Sequence, residues 1–308
     1  MTLPRVGHID FLNCAPHLHG LSLRGGSDRM HLQPGVPSAL NRRILAGELD
    51  ISPMSSIEYL RNAADLRLLP GLGISSDGPV MSIALVSSVP PSNLGGARVG
   101  LTSTSATSWV LAKILLQEWW GVSPVFVPEM PSHGSSPLIR TSRGLPYVGV
   151  PGSSPNPGNQ ASDPLAAQLL IGDPALRALW RPEPGMWTID LGQEWTRYTG
   201  HRMVYAVWAA RRAYAERRPE TVAEVTSILT EARDAGLRDA PALARHLSPL
   251  ENLPASLLER YFSTLHYGFG PRELDGLNAF AIAALRVGDL PAVPEPVWTG
   301  SGTVTTAA

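Results

Sequence analysis

The residues of this 308-residue chain best suited to chemistry are polar, mostly uncharged, and placed at the ends of short apolar runs. Asn13 follows the run at 6–10, and Ser55 and Ser56 follow the run at 49–54. The hydroxyl-rich stretch holding Thr104, Ser105, Ala106 and Thr107 follows the run that starts at Arg98, and Gly172 and Asp173 follow the one ending at Ile171. If these runs are strands of an open α/β sheet, such positions line the crevice outside the carboxyl ends, where ligands bind. Ser55-Ser56 and Ser105-Ala106-Thr107 also open helical patterns. At a helix N-terminus free N–H groups, hydroxyls and the positive end of the dipole together accept an anion. A small carboxylate is the ligand such a pair predicts. The competing reading is that Ser and Thr there are ordinary N-caps.

Other constellations carry less. Cys14, His17 and His19, with His8 upstream, have metal-like spacing, but no carboxylate accompanies them and Leu12, Leu18 and Leu21 make the segment read as packed, so a metal is rejected. Cys14 reads as a small buried hydrophobe. No G-x-S-x-G elbow, P-loop or G-x-G-x-x-G is present, which removes the common hydrolase, nucleotidase and dinucleotide readings. Asp50 sits at a strand edge and Glu58 has a capping role, so neither reads as a general base. A Schiff-base lysine would have to be Lys113, the single lysine, which lies on a helical pattern where a solvated face is expected.

Positioning these residues takes alternating strands and helices, and the apolar pattern supplies them. Strands are expected at residues 6–10, 49–54, 68–74, 82–87, 98–101, 125–127, 169–171 and 204–210. A helix over 37–46 has Pro at its start and Gly47 past its end. The spacings Ser55…Glu58 and Thr221…Glu224 predict capping boxes, and Asp173 with Pro174 reads as N-cap and N1. Beyond 210 the pattern is helical, with one stripe through Val222, Val225, Ile228 and Leu229, another through Leu257, Leu258, Tyr261, Phe262 and Leu265, and a last helix over 272–287. Residues 130–164 are rich in Ser, Gly and Pro without a period and read as a long loop or insert, and 294–308 reads as a mobile tail. Two α/β lobes are expected, 1–87 with 204–308 and 88–203, joined by two crossovers around a central cleft.

Composition narrows the partners. Hydrophobic residues make up 44% and charged residues 17%, a globular balance. Twenty-five basic and 26 acidic residues leave a formal charge of −1 without an Arg-rich run, so nucleic acid is not an expected partner. One cysteine rules out an internal disulfide, and neither a signal-peptide pattern nor an apolar run of membrane-spanning length is read, so a cytoplasmic protein without membrane contact is expected.

Several long runs resemble one family. Val6-Gly7-His8-Ile9 and Phe11-Leu12-Asn13-Cys14-Ala15-Pro16, then Gly47-Glu48-Leu49-Asp50-Ile51-Ser52-Pro53-Met54-Ser55-Ser56-Ile57-Glu58-Tyr59, are similar to the chorismate dehydratases of the futalosine route to menaquinone. The resemblance continues through Leu69–Val80, Leu101–Ser108, Leu170–Asp173 and Ala206–Ala209, spanning most of residues 5–290. The chain departs from the family at about 130–164, where a short helical connection is expected instead; the segment 132–160 is expected to be dispensable for turnover. The resemblance implies a type II periplasmic-binding-protein-like fold and conversion of chorismate to 3-[(1-carboxyvinyl)oxy]benzoate and water, with no cofactor and no metal.

Among the residues, the resemblance puts catalysis on Asn13 and Ser82. An Asn amide can donate to one ligand oxygen and accept from another, which suits the hydroxyl about to leave. Ser82 opens a strand where the chain leaves the first lobe, so it can face the hinge. Without a convincing protein base, the substrate's enolpyruvyl carboxylate is the expected proton acceptor. Ser55, Ser56, Thr104, Ser105, Ala106, Thr107, Gly172 and Asp173 are the expected substrate-binding set. Two alternatives stay open: a non-catalytic solute-binding protein for a small carboxylate, and the sister enzyme that makes dihydroxynaphthoate, whose early Pro-Asn-Asp-Thr type motif is replaced here by Asn13-Cys14-Ala15-Pro16. Oligomeric state is not legible.

Overall fold

Runs that are apolar or small at nearly every position form strands buried on both faces, as in β1 (Arg5–Ile9) and β3 (Ile51–Ser55). The computed structural model describes residues 3–102, 105–129 and 165–300. β1 pairs in parallel with β2 (His31–Gly35) and β3, while the long β4 (Leu66–Ser76) and β10 (Met203–Arg211) add to the same sheet antiparallel to one another. With the two-residue β11 (Leu265–His266) the order is β11-β4-β10-β3-β1-β2. The second sheet has the order β7-β6-β8-β5-β9, built from β5 (Ile83–Ser87), β6 (Arg98–Thr102), β7 (Val125–Glu129), β8 (Ala167–Ile171) and β9 (Trp187–Asp190).

The chain therefore crosses from the first sheet to the second after Ser76 and returns before Met203, and the fold is two-lobed α/β. The expected split after residue 87 is corrected: β5 is hydrogen-bonded on both edges to strands of the second sheet, so the crossing is complete by Ile83. The proposed insert at 130–164 and Thr104 lie outside the described residues.

Eleven helices cover the described parts of the sheets: α1 (Ala15–Arg24), α2 (Pro37–Leu45), α3 (Ser56–Arg61), α4 (Ala106–Ile114), α5 (Asp173–Trp180), α6 (Leu191–Thr199), α7 (Arg212–Arg217), α8 (Pro219–Arg238), α9 (Ala240–Glu251), α10 (Ala255–Thr264) and α11 (Pro271–Arg286). The sequence pattern misses α1 and α6, whose apolar stripes are short. α1 instead owes its place to α8. A Cβ at Gly20 would run into the backbone carbonyl of Ala232, and one at Gly236 into that of Pro16, so the two backbones meet where only glycine fits.

Three expected caps have other partners. Ser55 makes no cap bond; its N–H and hydroxyl engage Asn41, while Glu58 pairs with Arg61 at 2.7 Å. α8 begins two residues before Thr221, and Glu224 reaches Arg29. At α5, Gly172 takes φ 70° and serves as N-cap, moving Asp173 into the first turn, where a carboxylate still suits the dipole. The expected mobile tail is also corrected at its near end: Leu68 exchanges backbone hydrogen bonds with Val297 and Thr299, and Trp298 packs edge-on against Phe269 at 5.2 Å. A single extended segment has no helical period, which is why the pattern there looks featureless.

Candidate active site between the sheets

β1 ends at Ile9, and the chain passes through Asp10 and Phe11 into one tight turn, Leu12–Cys14, that leads directly into α1. Pro16 in the first turn of α1 suits a position with no intrahelical N–H partner. Because α1 is pinned on α8, Asn13 is carried to a fixed place at the strand end. Its Oδ1 is buried without a hydrogen-bond partner.

Asn13 opens onto a cavity of about 60 Å³ between the sheets. Phe11, Leu12 and Ser55 share its first-sheet wall; Ser82, Ser105, Ser108 and Gly172 line it from the second sheet, and Tyr205 and Tyr261 complete it. Pockets that hold small molecules usually exceed about 300 Å³, so this cavity is a tight one. A larger hollow of about 990 Å³ lies against α5 and the end of α9, but none of the polar strand-end residues lines it. Size alone does not make it the site, because the groups with chemistry are elsewhere.

Of the residues picked from sequence, Asn13, Ser82, Ser55, Ser105 and Gly172 meet at this one cavity. Four do not reach its wall. Ser56 is fully buried and donates to the Val204 carbonyl at 2.8 Å. Thr107 accepts from the Ile57 N–H at 3.2 Å, so the N-terminus of the six-residue α3 is already occupied by a hydroxyl from across the cleft. Ala106 and Asp173 sit in the first turns of α4 and α5, behind the caps Ser105 and Gly172. The expected pair of anion-binding termini thus reduces to the one at α4. There the Ser105 hydroxyl accepts from the Ser108 N–H at 3.4 Å and shares a 3.0 Å hydrogen bond with the Ser108 hydroxyl.

Ser108, Tyr205 and Tyr261 are the site residues the sequence reading missed. Tyr261 falls on the α10 stripe with Leu257, Leu258 and Phe262 and is indistinguishable there from a core residue. Its phenol shares the cavity wall with Ser82, and burial pushes its pKa up. Tyr205 shares a 2.8 Å hydrogen bond with Ser76, and burial likewise pushes its phenol well up. Ser82 itself is buried and donates weakly to the Val80 carbonyl at 3.4 Å. Among the described residues none on the cavity wall carries a charge, so the polar groups they offer are hydroxyls, an amide and backbone N–H groups.

Burial shifts Asp10, Cys14 and His17, next to or behind the wall, toward their neutral forms. Burial pushes the Cys14 thiol up to about 12, which agrees with its reading as an inert buried side chain. Burial lowers His17 to about 4, helped by Arg233, and its ring packs on Tyr267 at 5.6 Å and Trp208 at 6.1 Å. His19 faces away and meets Asp239 at 2.6 Å. Burial also raises the carboxyl of Asp10. Asp50 is held down, against its own burial, by Arg5 and Arg211, which makes it a structural anchor. Lys113 pairs with Asp289 at 2.8 Å, remote from the cavity wall. Among the described residues no helix is long and apolar enough to cross a membrane.

Known proteins match this arrangement at two levels. The model of a menaquinone-biosynthesis family matches residues 4–145 and 146–285. A chorismate dehydratase of Thermus thermophilus is 32% identical over 273 residues, covering 89% of this chain and 92% of that protein. At the level of fold, the periplasmic aliphatic sulphonate binding protein of Escherichia coli superposes with a TM-score of 0.60 at 15% identity, covering 99% of this chain and 96% of that one. A Candida albicans protein with the generic periplasmic binding protein fold gives 0.62 at 11% identity, covering 95% of this chain and 92% of its own. The fold is thus that of the periplasmic binding proteins, as expected, and the extent of the family match together with the identity to the Thermus enzyme places this chain in the menaquinone-biosynthesis family.

Proposed function

We propose that the protein is a chorismate dehydratase, a hydro-lyase that converts chorismate to 3-[(1-carboxyvinyl)oxy]benzoate and water. The observation that carries this reading is the meeting of Asn13 and Ser82 on one uncharged cavity, with Asn13 Oδ1 buried and unpaired. A buried acceptor left without a donor costs about 1–3 kcal/mol. A ligand hydroxyl removes that cost.

In this reading the Asn13 amide accepts from the hydroxyl that will leave the ring. The ring carbon bearing the enolpyruvyl ether loses its proton, and the C–H electron pair becomes the new ring double bond as the neighbouring carbon–oxygen bond breaks. The proton passes to the substrate's own enolpyruvyl carboxylate, oriented by Ser82, and leaves with the departing hydroxide as water. Aromatisation supplies the driving force, so the protein acts chiefly by holding the reactive pose. Ser105, Ser108 and the α4 N-terminus are the proposed seat of a carboxylate, with Ser55 and Gly172 closing the wall. The two lobes, 3–76 with 203–300 and 83–199, are the proposed units that part and close around it.

Incubating the purified protein with chorismate and following the aromatic product by liquid chromatography and mass spectrometry tests the assignment. Stoichiometric appearance of a product lighter by one water is expected. Binding of chorismate without turnover would turn the reading to a solute-binding protein.

A further inference from the structure

The first crossing between the lobes is short and lies next to the cavity. It leaves β4 at Ser76 and reaches Ser82 within six residues, and in that span Met81 has φ 61°, a left-handed conformation uncommon for a residue with a side chain. What holds it there is the start of α6. Asp190, the N-cap of that helix, takes the Gly192 and Gln193 N–H groups on Oδ1 at 2.9 and 3.1 Å. The same carboxylate takes the Met81 N–H on Oδ2 at 2.7 Å and the Val80 N–H on both oxygens at 3.0 and 3.1 Å.

Two neighbours complete the grip. Thr196, one turn along α6, accepts from the Gly78 N–H at 2.9 Å. Gly192 lies so close to the Gly78 carbonyl and the Tyr205 hydroxyl that a Cβ there would collide with both. An N-cap needs only its own helix's N–H groups. Reaching two further N–H groups on a strained crossover, next to the serine that lines the cavity, is more than capping requires.

We propose that Asp190 is a positioning residue, whose carboxylate clamps Val80 and Met81 in the conformation that turns Ser82 into the cleft. The part that concerns turnover rests on the dehydratase reading; the clamp itself does not.

Asp190→Asn separates the two tasks, because an amide keeps Oδ1 as the acceptor for the α6 cap and for Val80 but offers an N–H, not an oxygen, to the Met81 N–H. The variant is expected to cut kcat about tenfold or more while moving KM less than threefold, the pattern of a lost transition-state interaction. Adding Met81→Gly should restore most of the lost kcat, since glycine adopts positive φ without help; a merely structural cap would show no such rescue. Amide hydrogen exchange supplies the arm independent of activity: Met81, whose N–H bonds Oδ2 alone, should exchange at least tenfold faster in Asp190→Asn, with Gly192 and Gln193 on Oδ1 still protected.

Wild-type kcat in a folded Asp190→Asn, or unchanged exchange at Met81, overturns the inference. If Asp190→Asn does not fold, slow exchange at Val80 and Met81 in the wild-type protein together with acceleration in Thr196→Val supports the clamp, and fast wild-type exchange sinks it. Absence of chorismate turnover by the wild-type protein would fell the dehydratase reading and leave the exchange measurement to decide the clamp.

Discussion

The two sides of the cleft hold their reactive groups by different physics. Asn13 sits at the head of α1, which is fixed by packing: backbone against backbone at Gly20 and Gly236, and the His17 ring in tilted contact with those of Trp208 and Tyr267. Ser82 sits at the end of a crossover fixed by hydrogen bonds to Asp190 and Thr196, with Tyr261 alongside. Packing is cooperative, so disturbing it costs the whole first lobe. A hydrogen-bonded clamp can be loosened at one bond while the lobe around it stays folded. The same difference shows in the side chains themselves: Asn13 keeps an acceptor unpaired, whereas Ser82 already has protein partners on hand.

The largest test of this contrast removes the groups themselves. Asn13→Ala and Ser82→Ala should each lower kcat roughly 10²-fold or more, the scale of one positioned polar group, and leave binding of a dicarboxylate mostly intact. Steady-state kinetics with isothermal titration would show it, and near-normal turnover in both variants would break the assignment.

Next in size is Gly20→Ala. It forces a methyl group into the Ala232 carbonyl, and overpacking of this kind costs about 1–3 kcal/mol or more. Chemical denaturation should show that loss, accompanied by weaker turnover because Asn13 moves with α1; a stability change below about 0.5 kcal/mol, the ordinary scatter of surface substitutions, would refute the packing account.

His17 gives a comparable effect that depends on pH. Its pKa falls from 6.5 in the unfolded chain to about 4 when buried, so the unfolded state binds more protons between those values and stability is lost as pH drops through that window. At about 1.4 kcal/mol per pH unit, its share of the loss from pH 6.5 to pH 5 is about 2 kcal/mol. His17→Phe should flatten that part of the profile in urea titrations at the two pH values, while an unchanged slope would mean another group governs it.

The smallest expected effect lies on the hydrogen-bonded side. Tyr261→Phe removes a phenol from the cavity wall it shares with Ser82 but keeps the ring in the core, which predicts a several-fold drop in kcat with little change in melting temperature. A drop as large as that of Ser82→Ala would instead make Tyr261 a direct contact of the reacting groups.

Much of this protein was legible in the order of its residues. Buried strands declare themselves by continuous apolar runs, and helices such as α2 by Pro37 at the start and Gly47 past the end, because those signals are local and act through the backbone of the residues that carry them. For the same reason Asn13, Ser55, Ser105 and Gly172 could be picked out as strand-end and helix-start residues before any contact was known. What local pattern could not decide was partnership. Whether Ser55 caps α3 or bonds Asn41, whether Thr107 faces a ligand or seals the Ile57 N–H, and whether Tyr261 is core or cavity wall depend on elements tens to hundreds of residues away. Asp190 is the clearest case: the sequence pattern misses the helix it caps, and only the tertiary structure brings Val80 and Met81, 110 and 109 residues earlier, to its carboxylate. Hydrogen bonds over such separations leave no period in the chain, because they are set by how two lobes pack and not by how any one segment coils.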